Sequence, residues 1–170
     1  MGLFDRLTGT RRPDTAVAPR PAAEVRAALL AAGGPQAPYR VRNATPREDA
    51  DLVSEWRVLE PAWHPFFRER KLERTLKIRM RLSPQDREVR ALDEQLEVTW
   101  LGNTPRLVSS REHVRGQVRE KSFRWEIGRG PDGRLRATET SAFDSARLKD
   151  PLRDAVLAAG WTWRGVLRRL

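Results

Sequence analysis

The clearest pattern along the chain is a strict alternation of apolar and polar residues between positions 75 and 82. The apolar positions are Leu76, Ile78, Met80 and Leu82, and the polar positions are Thr75, Lys77, Arg79 and Arg81. Because successive side chains of a strand point to opposite faces of a sheet, this pattern predicts a strand with one apolar face and one cationic face.

Shorter or less regular alternation predicts further strands along most of the chain. They cover residues 39–41, 52–58, 87–92, 96–100, 106–110 and 123–127, with a return strand that begins at residue 135. Segments with proline, glycine, asparagine or aspartate separate neighbouring strands and predict turns at residues 83–86, 102–105 and 130–133. Residues 111–121 have no regular period, and we assign no element to them.

Helices are predicted near both ends of the chain, where apolar residues recur at helical spacing. The first covers residues 21–32 and the second residues 151–159, with Asp150 as the cap of the second. In both, a proline occupies the first helical position and a glycine follows the last turn, as is typical of helix ends. A third, shorter helix is expected at residues 65–73.

The two ends of the chain differ in the amount of apolar material they contain. Residues 1–20 mix proline, threonine, glycine and arginine with few apolar side chains, which predicts a flexible N-terminal tail. Residues 161–170 follow a helix directly and contain Trp161 and Trp163. Because burying a tryptophan removes on the order of 200 Å² from water, we expect this segment to fold back as an edge strand with at least one ring in the core.

Together these elements predict an α+β fold. Its core is a largely antiparallel, curved sheet or partly open barrel of about six to eight strands, packed by an N-terminal and a C-terminal helix. The length of 170 residues suits a single domain, which we place at residues 21–170. No apolar run approaches the roughly 18 residues that a membrane span needs. Since the first twenty residues also lack the apolar segment of a secretory signal, we expect a cytoplasmic protein.

Composition narrows the chemistry that the protein can perform. The chain has no cysteine, which excludes disulfides, thiolate metal sites, iron–sulfur clusters and cysteine nucleophiles. Lysine and arginine number 33 against 23 acidic residues, for a net charge of +10, and only four of these cations are lysine. An arginine-rich surface suits nucleic acid or another polyanion, because the guanidinium fork matches phosphate and carboxylate oxygens. The alternative interpretation is the codon usage of a GC-rich genome.

Few residues suggest catalysis. His64 and His113 lie far apart, and the sequence contains no zinc motif, serine nucleophile elbow or phosphate-binding loop. Carboxylates cluster along two predicted strands, at Asp93, Glu94 and Glu97 and at Glu55 and Glu60. Acid–base catalysis or magnesium binding would require them to converge in a pocket, whereas ion pairing with neighbouring arginines explains them more simply. We therefore predict no metal or cofactor site, and we favour a protein that is not an enzyme.

The sharpest functional candidate is a cationic stripe on one face of the predicted sheet. Its predicted members are Lys77, Arg79, Arg81, Arg90, Arg124, Arg134 and Arg136. Sharing one face, these side chains would form a surface that attracts anions. In the alternative, three carboxylates interleave with the cations and neutralise the face; these are Glu88, Glu97 and Glu126. The outcome depends on strand order, which the sequence does not provide.

Two hypotheses for function follow. The first is a non-catalytic binding domain that uses the arginine-rich face toward an anionic macromolecule, such as nucleic acid, or toward a protein partner. The second is a small-ligand pocket protein or enzyme with its site between the sheet and the helices. Salt distinguishes them, because the binding of a polyanion weakens steeply with ionic strength and the filling of an apolar pocket does not.

Overall fold

The computed structural model describes residues 8–109 and 145–170, together with the backbone of residues 125–129 and 135–139. Its helices are α1 (Ala22–Ala32), α2 (His64–Glu69) and α3 (Ser145–Ala158). Its strands are β1 (Tyr39–Asn43), β2 (Leu52–Trp56), β3 (Arg74–Ser83), β4 (Glu88–Leu101), β5 (Thr104–Ser109), β6 (Trp125–Arg129), β7 (Leu135–Glu139) and β8 (Thr162–Val166). Two 3₁₀ turns lie at Pro46–Glu48 and Pro61–Trp63.

The main sheet is largely antiparallel and curls strongly into a half-barrel, so the fold is α+β as predicted. Its strand order is β1-β2-β3-β4, with each neighbouring pair antiparallel. β4 is long enough to carry two strands on its other side. β8 runs parallel to its first half, and β5 runs antiparallel to its second half. β6 and β7 form a separate antiparallel pair.

One face of the sheet, which we call the inner face, packs into the core. It carries the apolar positions of the alternating pattern in β3 and β4, and these are buried together with apolar side chains of α1 and α3. The central residues of this cluster are Ile78, Met80, Val89, Ala91, Val25, Leu29, Leu148, Leu152 and Val156. The opposite face, which we call the outer face, carries the polar positions of the same strands and is the face on which the cationic stripe was predicted.

β4 is one continuous strand, where the sequence predicted two strands at residues 87–92 and 96–100. The residues between the two predicted strands include Asp93, whose side chain is buried in the core. There the Lys149 ammonium lies 2.5 Å from the Asp93 carboxylate. A buried carboxylate needs such a partner. Because α3 supplies this partner, the strand continues through Asp93.

α3 begins at Ser145, which corrects the predicted start at Pro151 with an Asp150 cap. Pro151 lies inside the helix, where it removes one backbone hydrogen bond at a local cost of about 3 kcal/mol. The residues before it bring Leu148 into the core and Lys149 to its buried carboxylate. Local sequence preference predicted that the helix starts at the proline. In the structure the helix starts earlier in the chain, because these two side chains make tertiary contacts there.

The C-terminal segment returns to the sheet as β8, and the prediction that at least one of its tryptophan rings is in the core is confirmed. Trp163 is 0% exposed and Trp161 is 2% exposed. The Trp161 indole N–H also donates a hydrogen bond to the Arg20 carbonyl at 2.8 Å. Burial of two large rings therefore fixes this segment against the core.

Part of the segment predicted as a flexible tail lies beside β8. The backbone groups of Arg11 and Trp163 exchange two hydrogen bonds, at 2.8 and 2.9 Å, and Thr10 is buried. Farther along, the Arg20 N–H donates to the Ala159 carbonyl at 2.9 Å. These contacts concern residues 8–20, and the division of the chain into a tail at 1–20 and a domain at 21–170 stays a prediction.

We expect the substitution Trp163→Ala to destabilise the whole domain. The ring is fully buried, and truncation of a buried tryptophan costs about 3–5 kcal/mol through lost contacts and the cavity left behind. Thermal unfolding followed by circular dichroism should show a Tm lower by about 10 °C. Leu167→Ala, which truncates an exposed side chain of the same segment, is the control and should leave the Tm nearly unchanged. Similar Tm values for the two variants would show that the Trp163 ring contributes little to the core.

Gly33 provides a second test of the packing, at the point where α1 ends against β1. A Cβ atom at this position would lie 2.5 Å from the backbone nitrogen of Val41, so one of the two segments would have to move. We expect Gly33→Ala to lower the free energy of unfolding in urea by about 1–3 kcal/mol. Gly34→Ala is a matched control, since nothing lies within 4 Å of its added methyl group. Equal losses in the two variants would contradict the close approach.

Candidate functional site

The outer face brings together four of the seven predicted site residues. These are Lys77, Arg79 and Arg81 on β3 and Arg90 on β4. Arg124 and Arg134 lie outside the described residues, and only the backbone of Arg136 is described, in β7. The membership of these last three residues in a common site stays a prediction.

On the β1–β2 side of the outer face, half-buried carboxylates bind the cations. Glu55 accepts hydrogen bonds from Arg40 Nη2 at 2.7 Å and from Arg42 Nε at 2.9 Å. Glu48 accepts from both terminal amino groups of Arg42, each at 2.8 Å. The Lys77 ammonium lies 3.4 Å from Glu48 and 4.0 Å from Glu55. Lys77 is therefore neutralised, but by carboxylates other than the three that the sequence suggested.

Residues 44–51 connect β1 to β2 and contact β3. We call this segment the acidic loop. A capping box that uses the Glu48 carboxylate closes its 3₁₀ turn. The Glu48 carbonyl accepts a hydrogen bond from Arg79 at 2.7 Å. Asp49 accepts from Arg81 at its carbonyl, 2.9 Å, and at its carboxylate, 2.6 Å. The acidic loop therefore occupies donors of two of the predicted site residues.

The arginines of this network keep its two half-buried carboxylates ionised. Hydrogen bonds from Arg42 lower the pKa of Glu48 far below its ordinary value of 4.5, against the opposing effect of burial. For Glu55, burial acts to raise the pKa, but hydrogen bonds from Arg42 and Arg40 outweigh it and the pKa is lowered. The network therefore keeps its charges well into the acidic range.

The other side of the outer face carries three arginines at paired register positions on three neighbouring strands. Arg81 of β3 pairs in register with Arg90 of β4, and Arg90 pairs in register with Arg164 of β8. We call these three residues the arginine row. Their side chains are 36%, 39% and 46% exposed, whereas those of Lys77 and Arg79 are each 21% exposed. The row is thus the more accessible part of the predicted cationic stripe.

Glu88 joins two members of the arginine row. Its carboxylate accepts one hydrogen bond from Arg90 Nε at 2.7 Å and another from Arg164 Nε at 2.6 Å. The hydrogen bond that Arg90 donates to Glu88 raises the pKa of Arg90. Of the other two carboxylates suggested as neutralising, Glu97 lies farther along β4 and is exposed, and the side chain of Glu126 is outside what the structure describes.

Arg164 was not among the predicted site residues. The sequence indicated a terminal strand, but alternation within five residues does not reveal which strand it pairs with or in which register. Beyond β8, the Leu170 carbonyl accepts a hydrogen bond from Arg81 Nη1 at 3.2 Å. The chain between β8 and this contact contains Arg168 and Arg169, both exposed.

Of the carboxylates considered for catalysis, Glu55 and Glu60 both bind Arg40 and line the same small cavity, whereas Asp93, Glu94 and Glu97 do not converge on one site. Asp93 lies in the core, Glu94 lies 3.6 Å from an arginine of the outer face, and Glu97 is exposed. Within residues 8–109 and 145–170, no group of three or more histidine, aspartate or glutamate side chains is placed to hold a metal ion. His64 packs edge-on against a tryptophan ring, and His113 is outside the described residues.

A cavity lined by strands β1 to β5 and by the segment after β2 is too small to hold a substrate. Its lining includes Arg40, Glu55, Trp56, Thr75, Leu96 and Leu107. Its volume is about 30 Å³, which is room for about one water molecule. Small-molecule sites usually have volumes of about 300–1,000 Å³. This cavity therefore does not supply the ligand pocket of the second hypothesis, which was expected between the sheet and the helices.

No protein-family model, curated protein or solved structure matches this chain. In the part of the chain that the structure describes, no helix has both the length and the apolar character of a membrane span. Functional inference therefore rests on the side chains of the outer face.

We expect the protein to lose stability as the pH falls below about 5. The pKa values of Glu48 and Glu55 are lowered in the folded chain. The stability that they contribute is therefore complete above their ordinary pKa and is lost as the pH falls toward the folded values. The free energy of unfolding in urea should decrease steadily from about pH 5 to about pH 3.

Two variants assign this acid sensitivity to the network. Glu48→Gln should be less stable at neutral pH by about 2 kcal/mol and should change less with pH in the acidic range. Glu24→Gln removes an exposed carboxylate whose pair with Arg20 spans 3.7 Å, and it should keep the wild-type pH profile. An unchanged profile for Glu48→Gln would mean that other carboxylates cause the acid sensitivity.

Proposed function

We propose that this protein is a non-catalytic binding domain that holds an anionic macromolecule on the arginine row of its outer face. The observation that carries the proposal is the register of Arg81, Arg90 and Arg164 on three neighbouring strands. Like charges directly opposite one another destabilise a sheet. Asp49 and Glu88 offset part of this repulsion, because they bind the three arginines. Such local conflicts with stability are expected mainly at functional sites, and an anionic partner would relieve the remainder.

The proposal uses only part of the cationic stripe. Lys77 and Arg79 are excluded from it, because their side chains are each only 21% exposed and are bound by the acidic loop and Glu94. Arg81 is kept although the acidic loop also binds it, because its side chain is 36% exposed and its partner Asp49 is itself exposed. Arg164 is added, because it lies beside Arg90 and its side chain is the most exposed of the row. The partner-binding residues proposed are therefore the three members of the arginine row.

Positive charge around the row exceeds the charge of its own carboxylates. The acidic partners of the row are Asp49, Asp86 and Glu88. Three more exposed arginines lie a few positions from Arg90 or Arg164 in the chain and make no ion pair with a described residue; they are Arg87, Arg168 and Arg169. Clustered positive charge of this kind raises the local concentration of anionic partners and speeds their association.

A polyanion suits this surface better than an apolar protein interface does. Stable protein interfaces are centred on apolar and aromatic anchors. The large apolar side chains that are exposed in the described residues are Leu59, Leu101, Val108 and Leu167. Of these, Leu167 follows β8, and the others belong to the β2–α2 connection and to the β4–β5 hairpin. The centre of the row is thus polar, and electrostatic attraction is the interaction that it offers.

Binding to two fluorescently labelled polyanions tests the proposal. The first is a DNA duplex of about 20 base pairs, and the second is poly-L-glutamate. Fluorescence anisotropy measures the binding of each between about 50 and about 200 mM salt. We expect wild-type protein to bind at least one of them, more weakly as salt rises. Replacing Arg81, Arg90 and Arg164 together with glutamine should weaken binding by at least about tenfold and reduce the salt dependence.

The matched control removes the same charge from the other end of the sheet. Arg68, Arg74 and Arg106 are exposed and lie on α2, at the start of β3 and on β5. Their joint replacement with glutamine should weaken binding by less than about threefold. Equal losses in the two triple variants would show that total charge, and not the arginine row, determines binding. Absence of binding to both polyanions would overturn the proposal.

A further inference from the structure

Glu88 holds its two arginine neighbours at the base of their guanidinium groups. Arg90 and Arg164 each donate the Nε hydrogen to a different oxygen of the Glu88 carboxylate, at 2.7 and 2.6 Å. The carboxylate is 5% exposed, whereas the two arginine side chains are 39% and 46% exposed. A buried acid thus restrains two accessible cations at the point where each guanidinium joins its aliphatic stem.

The outer ends of both guanidinium groups keep donors for a ligand. Arg164 has no hydrogen-bond partner for its two terminal amino groups among the described residues. In Arg90, one terminal amino group lies 3.4 Å from Asp86, an exposed carboxylate, and the other has no partner in the described part of the chain. Because a guanidinium carries five N–H donors, each of these side chains still presents several of them to solvent.

Two guanidinium groups held side by side fit a phosphate group better than a carboxylate. A carboxylate is planar, and one arginine fork in that plane engages both of its oxygens. A phosphate can also be engaged by one fork, but its oxygens project from a tetrahedral phosphorus, so a second fork can donate to them from outside the plane of the first. Arginine is preferred over lysine where such directed recognition of phosphate is required.

We propose that Glu88 is a positioning residue that orients Arg90 and Arg164 as a paired site for the phosphodiester backbone of a nucleic acid. The inference rests on the proposed function and names the partner class of the same surface. Neighbouring arginines of the row lie on strands about 4.8 Å apart. Each nucleic-acid strand carries one phosphate charge about every 3.4 Å along the helix axis. A chain of closely spaced phosphates therefore offers an acceptor to each arginine of the row.

This site reads the backbone and not the bases. The aromatic residues next to Arg164 in the chain, Trp161 and Trp163, are buried, so neither ring is available to stack on a base. Contacts to phosphates position a protein on nucleic acid without specifying sequence. We therefore expect duplexes of unrelated sequence to bind with equal affinity.

The decisive experiment compares Glu88→Gln with Asp86→Asn in binding to the labelled duplex. Each substitution removes one negative charge that pairs with Arg90, so a surface acting by charge alone would bind the duplex more tightly in both variants. If Glu88 positions the guanidinium groups, Asp86→Asn binds at least as tightly as wild type, and Glu88→Gln binds at least about fivefold more weakly. Binding by Glu88→Gln that equals or exceeds that of Asp86→Asn, with the fold intact by circular dichroism, would overturn the positioning role.

A second pair of variants decides the question should Glu88→Gln fail to fold. Replacing Arg90 and Arg164 with lysine keeps both charges and removes both planar forks. Duplex binding should weaken by at least about fivefold, whereas the same replacement at Arg68 and Arg106 should leave it unchanged. Wild-type affinity in the Arg90 and Arg164 double variant would show that charge is sufficient and that the paired site is wrong.

The same binding measurements distinguish an error in the assignment to phosphate from an error in the proposed binding function. Wild-type protein should bind the duplex more tightly than poly-L-glutamate at the same salt concentration. A preference for poly-L-glutamate, lost in the glutamine triple variant of the arginine row, would leave the binding function standing and overturn the assignment to phosphate. Absence of binding to both would overturn the proposed function itself, and this inference with it.

Discussion

An aspartate and a lysine meet inside the core, and the arrangement of the sheet depends on this ion pair. The Lys149 ammonium of α3 lies 2.5 Å from the Asp93 carboxylate of β4, and both side chains are buried. The cost of removing two charges from water offsets most of their attraction, so such a pair adds little net stability. Separating the two charges inside the core is expensive, however. We therefore interpret the pair as a contact that specifies where α3 lies on the sheet.

Three features of the fold agree with this interpretation. β4 continues through Asp93 and becomes long enough to carry two strands on one side. α3 extends in front of Pro151, because its lysine has to reach the buried carboxylate. The chain then leaves α3 at Gly160, whose φ of 71° suits glycine better than other residues, and enters β8 alongside the first half of β4. That parallel register places Arg164 beside Arg90 on the outer face.

The outer face divides into two parts because its carboxylates approach the arginines from different directions. The Glu48 carboxylate comes from the acidic loop and takes both terminal amino groups of Arg42. Glu88 lies within the sheet and takes only the Nε of Arg90 and of Arg164. A half-buried carboxylate that takes both terminal amino groups of a guanidinium closes it to other anions, whereas a carboxylate at its base leaves the end open. Net charge alone does not distinguish these two situations.

The sequence by itself determined the features that depend on neighbouring residues. The alternation at residues 75–82 predicted β3 and its two faces, and the aromatic residues of the last segment predicted its return to the core. The α+β class follows from the same local periods. Only the tertiary structure decided the start of α3, the continuity of β4 and the availability of each cation. Lys149 and Asp93 are 56 positions apart, and Arg164 and Glu88 are 76 positions apart. Such pairs depend on strand order and register, which a period of two within one strand does not contain.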